Sequence, residues 1–136
     1  MRRSRVSGDD ATPAMSERAP LRAIVYCHCL MCRRTTGHFL AATACAASQL
    51  RVTHSERLRW YESSALAQRG FCDRCGSNLF WKPADGTRIA ITAGTLDLPT
   101  GLRGVAHIHV EDEGDYYDLD DGLAQQVGGA HGVPIP

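Results

Sequence analysis

Lysine is almost absent from this chain. Lys82 stands alone among 15 basic residues, and 15 acidic residues bring the formal net charge to zero. A general nucleic-acid binder carries a basic excess, so the balance excludes that class. The arginine-for-lysine usage itself reads as a compositional bias of the source genome. No stretch approaches the roughly 20 apolar residues that cross a bilayer, so no membrane partner is expected. The basic start Met1-Arg2-Arg3-Ser4-Arg5 runs into Val6-Ser7-Gly8-Asp9-Asp10 where a targeting signal would need an apolar run. No window carries a long 3.6-residue apolar stripe, which argues against a helical architecture. Internal repeats and low-complexity segments are also missing.

What is present suits one domain. The 136 residues, 43% hydrophobic and 22% charged, are ordinary for a globular protein with a real core. Residues 1–19 are polar and aperiodic and are expected to be a disordered extension. Residues 20–130 form the domain, and 131–136 a flexible tail. Strands are expected at Leu21–Tyr26, Phe39–Ala46, Leu58–Tyr61, Ala67–Phe71, Asn78–Trp81, Arg88–Thr92 and Val105–Val110, each short and rich in β-branched or aromatic residues. Asp85-Gly86 supplies a hairpin turn, and Pro99 with Gly101 another. The fold class is therefore all-β and mainly antiparallel. The acidic crowd Glu111, Asp112, Glu113, Asp115, Asp118, Asp120 and Asp121 reads as a solvated loop and tail.

Six cysteines without a secretion signal point to a reducing compartment, the cytoplasm, and to metal ligation in preference to disulfides. In Cys27-His28-Cys29-Leu30-Met31-Cys32, residues two apart on a strand face the same way, and a turn folds Cys32 back toward them. Three protein thiolates leave tetrahedral zinc one open position, the pattern of catalytic sites. Cys72-Asp73-Arg74-Cys75-Gly76 has the form of a metal knuckle. A redox pair of the same spacing would want a βαβ context, which is missing. Two cysteines do not complete a zinc site. Cys45, in an alanine-rich apolar run, reads as a small core residue. His28 points away from its flanking cysteines, as an ordinary or substrate-facing histidine more than a ligand. His107 and His109 share a strand face and could chelate, but no third partner is evident.

These motifs resemble the glutathione-dependent formaldehyde-activating enzyme family. The resemblance lies in Tyr26-Cys27-His28-Cys29-Leu30-Met31-Cys32-Arg33, Phe71-Cys72-Asp73-Arg74-Cys75-Gly76-Ser77-Asn78-Leu79, Ala93-Gly94-Thr95-Leu96-Asp97, His107-Ile108-His109 and Asp120-Asp121-Gly122-Leu123, in order and spacing over residues 20–128. It implies an all-β fold of small twisted sheets and two zinc ions as cofactors. Cys27, Cys29 and Cys32 would hold a catalytic zinc. Cys72 and Cys75 would hold a structural zinc together with an earlier C-x-C, which this chain lacks. Ala11-Thr12-Pro13-Ala14-Met15 stands in its place, and Ala124 replaces a usual proline. Weak or sub-stoichiometric metal is therefore expected at Cys72 and Cys75. The implied activity is carbon–sulfur lyase chemistry, joining formaldehyde to the thiol of glutathione or cleaving the adduct. Arg33 and Arg34 would offset thiolate charge or clamp a substrate carboxylate. The expected partner is a small-molecule thiol, with a homo-oligomer left open. Two rivals stand beside this reading. One is a binding module with a single zinc closed by Cys29, Cys32, Cys72 and Cys75, which would leave Cys27 idle. The other is an inactive family member.

Overall fold

A computed structural model describes residues 21–130 and 132–136 throughout and, ahead of them, the backbone of two short strands. Those strands, β1 (Arg2–Arg5) and β2 (Ala14–Glu17), lie inside the segment expected to be disordered, whose other residues fall outside the described ones. There follow β3 (Ile24–Cys27), α1 (Leu30–Thr36), β4 (Leu40–Ala46), β5 (Leu50–Thr53), β6 (Leu58–Ser64), β7 (Ala67–Cys72), β8 (Asn78–Pro83), β9 (Arg88–Thr92), β10 (Gly104–Ile108) and β11 (Ala124–Gln125). Every strand expected in the domain forms, with ends moved by no more than three residues. The hairpin at Asp85-Gly86 forms as well. Gly86 has φ +67°, where a side chain would be strained, and its amide donates to the Pro83 carbonyl at 2.9 Å.

The all-β class holds, with one α-helix among the described residues. The strands do not divide into small antiparallel sheets, however. Eight of them form one open sheet in the order β11-β10-β3-β4-β9-β8-β7-β6, and β1-β2-β5 form a second. From β3 through β4, β9, β8 and β7 to β6 every pair is antiparallel. The sheet is mainly antiparallel as expected, and the other edge adds two parallel pairs. After β9 the chain passes through residues 93–103 and returns beside β3 running the same way, so β10 pairs with β3, and β11 with β10, in parallel. A strand returning by a crossover can add parallel, whereas a two-residue hairpin cannot. Among the described residues no helix is long and apolar enough to cross a membrane.

Pairing register sorts the residues onto two faces, because directly paired residues point the same way and successive residues alternate. One face carries Cys45 opposite Ile89, and Phe80 opposite Ile91. These pack with Leu21, Cys72, Leu79 and Leu96 into the main core. Ile91 is fully buried, and each such aliphatic side chain contributes roughly 1.5–3 kcal/mol through burial. Cys45 is thus the core residue its alanine-rich setting implied. The opposite face carries Cys27 opposite Leu40, Ala42 opposite Thr92, Ala90 opposite Trp81, and Trp81 opposite Arg69. That row joins five strands and ends at the cysteines.

Candidate metal centre

Cys27 closes β3 in the middle of the sheet, between Leu40 on one side and Ile108 on the other. The strand stops there. Cys29 already occupies the N-cap of α1, with φ −58° and ψ 154°, and its sulfur accepts the amide of Cys32 at 3.3 Å. Cys32 is the third helical residue. Capping geometry aims an N-cap side chain at that residue's amide, so the C-x-x-C spacing brings the second and third sulfurs together. The turn expected to fold Cys32 back is therefore the first turn of a helix. The helix is seven residues long and ends at Gly37, whose φ of +83° no β-carbon opposes.

The three sulfurs of Cys27, Cys29 and Cys32 lie within 4.8 Å of one another, and no other His, Cys, Asp or Glu among the described residues joins them. Cys32 is buried, and Cys27 and Cys29 are half-buried. The Cys27 thiol is pushed above its ordinary value by hydrogen bonds with Cys29 and Cys32, and by burial. Cys29 is held below its ordinary value by the same two thiols. For Cys32 the Cys27 hydrogen bond pulls down, but Cys29 and burial outweigh it and the thiol rises. The three thiols are thus tied to one another by hydrogen bonds. Metal–sulfur bonds of about 2.3 Å put ligand sulfurs about 4 Å apart, so spacing and donor type both fit a single soft divalent ion such as zinc, which would let all three ionise.

The charge beside the cluster comes from a residue the sequence did not single out. Arg69, on β7, is 5% exposed, and its Nη2 donates to Cys32 Sγ at 3.4 Å. Burial would lower its pKa, but the neighbouring Cys32 and Cys29 sulfurs more than offset this and raise it. Its Nε is buried with no hydrogen-bond partner among the described residues. An unmade bond of this kind ordinarily costs about 1–3 kcal/mol. The one available signal was the strand alternation Ala67, Arg69, Phe71, which puts a charged residue at an inward position. Arg33 and Arg34 lie on α1, the first half-buried with a buried Nε that has no partner among the described residues, the second exposed.

Cys72 and Cys75 flank a tight turn. The Gly76 amide donates to Cys72 O at 2.7 Å, and the Cys72 amide to Ser77 O at 3.0 Å. Cys75 is exposed, and although its slight burial would raise the thiol, the Ser77 hydroxyl and amide outweigh that and lower it. Cys72, fully buried, faces the main core, away from the face of Arg69 and Cys27. The pair has no third ligand within reach among the described residues, and does not meet Cys29 and Cys32.

The histidines sort differently from their sequence pattern. His28 Nε2 lies 2.8 Å from His107 Nδ1, and His107 Nε2 lies 2.8 Å from Asp121 Oδ2. His28 Nδ1 meets the Tyr117 hydroxyl at 2.5 Å. Burial first, then the His107 and His38 rings, hold His28 at about 4. His109 lies beyond the end of β10 in a left-handed conformation, with φ +53°, and faces Glu111. His107 and His109 therefore form no chelating pair. Most of the acidic segment is solvated as expected, but Asp121 departs from it by accepting a bond from a buried ring.

Fold and site together define a small all-β protein with a three-thiol centre suited to a metal. The chain belongs to the glutathione-dependent formaldehyde-activating enzyme family, whose profile matches residues 12–112. The match begins inside the segment read as an extension. An uncharacterized lyase of Schizosaccharomyces pombe is 29% identical over 94 residues, 68% of each chain. A crystal structure of a Rhodobacter sphaeroides protein superimposes with a TM-score of 0.58 at 19% identity, covering 75% of this chain and 97% of that one, a likeness of fold alone.

Proposed function

We propose that this protein is a zinc-dependent carbon–sulfur lyase that joins glutathione or a similar small thiol to formaldehyde, or cleaves the adduct, in the cytoplasm. The observation that carries the reading is the convergence of Cys27, Cys29 and Cys32 within 4.8 Å with no fourth protein ligand among the described residues. When bound, the metal would supply an open position that holds a substrate sulfur as thiolate. The protein's own residues do the rest. The three cysteines hold the ion, and Arg69 offsets their accumulating negative charge. Arg33 and Arg34 follow Cys32 on α1, and in this reading they bind the carboxylates of a tripeptide thiol. Chemically, the thiolate sulfur attacks the aldehyde carbon, the C–S bond forms, and the carbonyl electron pair moves to oxygen. That oxygen takes up one proton, equal to the one the thiol released, so the sum is thiol plus aldehyde to hydroxymethyl thioether with no redox change.

The closed four-cysteine module is disfavoured because Cys72 and Cys75 stay apart from Cys29 and Cys32. Cobalt substitution with Cys27→Ser separates the readings. An open three-thiolate site loses metal affinity with Cys27, and its cobalt spectrum changes on addition of glutathione. Full metal retention by Cys27→Ser, with a spectrum glutathione leaves unmoved, would transfer the protein to the binding-module class. Formaldehyde–glutathione exchange followed by NMR tests the activity directly, and would be unaccelerated in an inactive family member.

A further inference from the structure

The structural zinc implied for Cys72 and Cys75 does not fit this chain. The sequence holds six cysteines in all. Cys27, Cys29 and Cys32 are gathered in the cluster, and Cys45 lies fully buried in the main core. Among the described residues no third His, Cys, Asp or Glu joins Cys72 and Cys75. The donor set is two sulfurs, half of what tetrahedral zinc takes.

The fold keeps this pair close and in unlike surroundings. β7 ends at Cys72, and residues 73–75 turn toward β8. The Gly76 amide on Cys72 O, the Cys72 amide on Ser77 O and the Asp73 amide on Arg57 O fix the path of the turn. Arg59 Nη2 holds the Asp73 carboxylate at 2.9 Å. The two thiols hydrogen-bond to each other. A turn brings residues three apart to within about 7 Å between α-carbons, and a disulfide spans about 4.4–6.8 Å, so the pair can close with little backbone movement. Cys72 is fully buried, whereas Cys75 is exposed and its Sγ lies 3.4 Å from the Ser77 hydroxyl. A hydroxyl there can donate to a thiolate. One sulfur of the pair therefore meets solutes, and the other is shielded from them.

We propose that Cys72 and Cys75 form a thiol–disulfide exchange site for small-molecule disulfides, with Cys75 the attacking sulfur and Cys72 the resolving one. The Cys75 thiolate attacks one sulfur of the small disulfide, a mixed disulfide forms on Cys75, and one small thiolate leaves. Cys72 then attacks the Cys75 sulfur, the internal disulfide closes, and the second small thiolate leaves. The protons of the two protein thiols pass through solvent to the two leaving thiolates. Two protein thiols are oxidised and one small disulfide is reduced to two thiols, so the electrons balance. The βαβ setting that this pair lacks serves thioredoxin-type enzymes. Exchange itself needs only an exposed thiolate and a second thiol within its reach. In a reducing compartment the pair rests as two thiols and closes when small disulfides accumulate. The lyase reading uses neither sulfur, so the two stand apart.

The test treats the zinc-loaded full chain with glutathione disulfide, blocks the remaining thiols with iodoacetamide and maps tryptic peptides by mass. Cleavage after Arg74 parts the two cysteines, so an internal disulfide joins peptides 70–74 and 75–88. Wild type should give that linked pair, and dithiothreitol should release it. Cys72→Ala has no resolving sulfur and should accumulate a glutathione adduct on Cys75. Cys75→Ala should take up glutathione at Cys72 at least about tenfold more slowly, because buried cysteines are inert. A lasting adduct on wild-type Cys75 without linked peptides would overturn the proposal, as would equal uptake by Cys75→Ala. So would a wild type in which both thiols stay unmodified. The wild-type and Cys75→Ala results decide the matter even where Cys72→Ala fails to fold. The readout is a mass, so a chain inactive toward formaldehyde still answers the question.

Discussion

His28 and His107 are hydrogen-bonded ring to ring at 2.8 Å in a fully buried position, and their protons are dictated from one end. The Asp121 carboxylate accepts only, so His107 donates its Nε2–H there and offers Nδ1 as an acceptor. His28 then donates Nε2–H to that nitrogen, and its Nδ1 accepts from Tyr117. The Tyr117 oxygen in turn accepts the Gly114 amide at 3.1 Å. The chain ties the cysteine loop to β10 and to the late acidic segment. Replacing His107 with alanine strands the buried Nε2–H of His28 and should cost about 1–3 kcal/mol in urea unfolding. The His28→Ala/His107→Ala pair should cost clearly less than the sum of the two single changes, because each loses the same bond. Strict additivity would mean that the rings act independently.

Asp121 makes stability depend on acid. Its carboxyl is held below the ordinary value, first by the hydrogen bond from His107 and then by the Leu123 amide. A carboxyl depressed on folding contributes stability that is fully present above its unfolded pKa of about 3.9, and that is lost as pH falls through the lower folded value. The stability gap between wild type and Asp121→Asn should therefore be constant above about pH 5 and should shrink below about pH 4. Denaturant midpoints measured from pH 7 down to pH 3 would show it. A gap that widens in acid would contradict this role.

Much of this was legible in the sequence, and the rest was hidden for identifiable reasons. Strand positions followed from β-branched and aromatic runs, and the three-cysteine convergence from spacing alone. The short helix escaped because seven residues carry no periodic stripe, and its cue was the N-cap role of Cys29, a residue type not usually read as a cap. Arg69 meets Cys32 across 37 positions only because β7, β8, β9 and β4 are in register. A single sequence holds no signal for that pairing. Asp121 looked like one more solvated acid, since its buried partner lies 14 residues away. The parallel return of β10 was likewise invisible, because it depends on the path of an irregular loop.

Gly104 is required where β10 first meets β3. A β-carbon there would fall onto the ring and hydroxyl of Tyr26. That ring is held in turn by Phe39 at 5.2 Å and His107 at 5.1 Å between centroids. Gly104→Ala must push the ring into these neighbours and should destabilise by about 1–3 kcal/mol, as overpacking does. A double variant that also carries Tyr26→Val should recover part of the loss. If Gly104→Ala alone melts at the wild-type temperature, the Tyr26 ring has room to move aside and the two strands pack loosely at this point.

Cys72 and Cys75 should respond differently to substitution, because equal ligands of one metal behave alike and these two are placed unlike each other. Cys72 is fully buried in the main core, and Cys75 is exposed on the knuckle. With no third ligand among the described residues, the pair is half of a tetrahedral site, and half a site binds zinc weakly. Purified protein should therefore carry nearer one zinc than two, with that zinc lost on triple replacement of Cys27, Cys29 and Cys32 by serine. Cys72→Ala should cost about 1 kcal/mol, the worth of one buried methyl-sized group. Cys75→Ala should stay within about 0.5 kcal/mol of wild type, as exposed substitutions do. Neither single change should alter metal content. Two zinc ions per chain, with one lost equally from Cys72→Ala and Cys75→Ala, would instead show that other residues complete a second site around the knuckle.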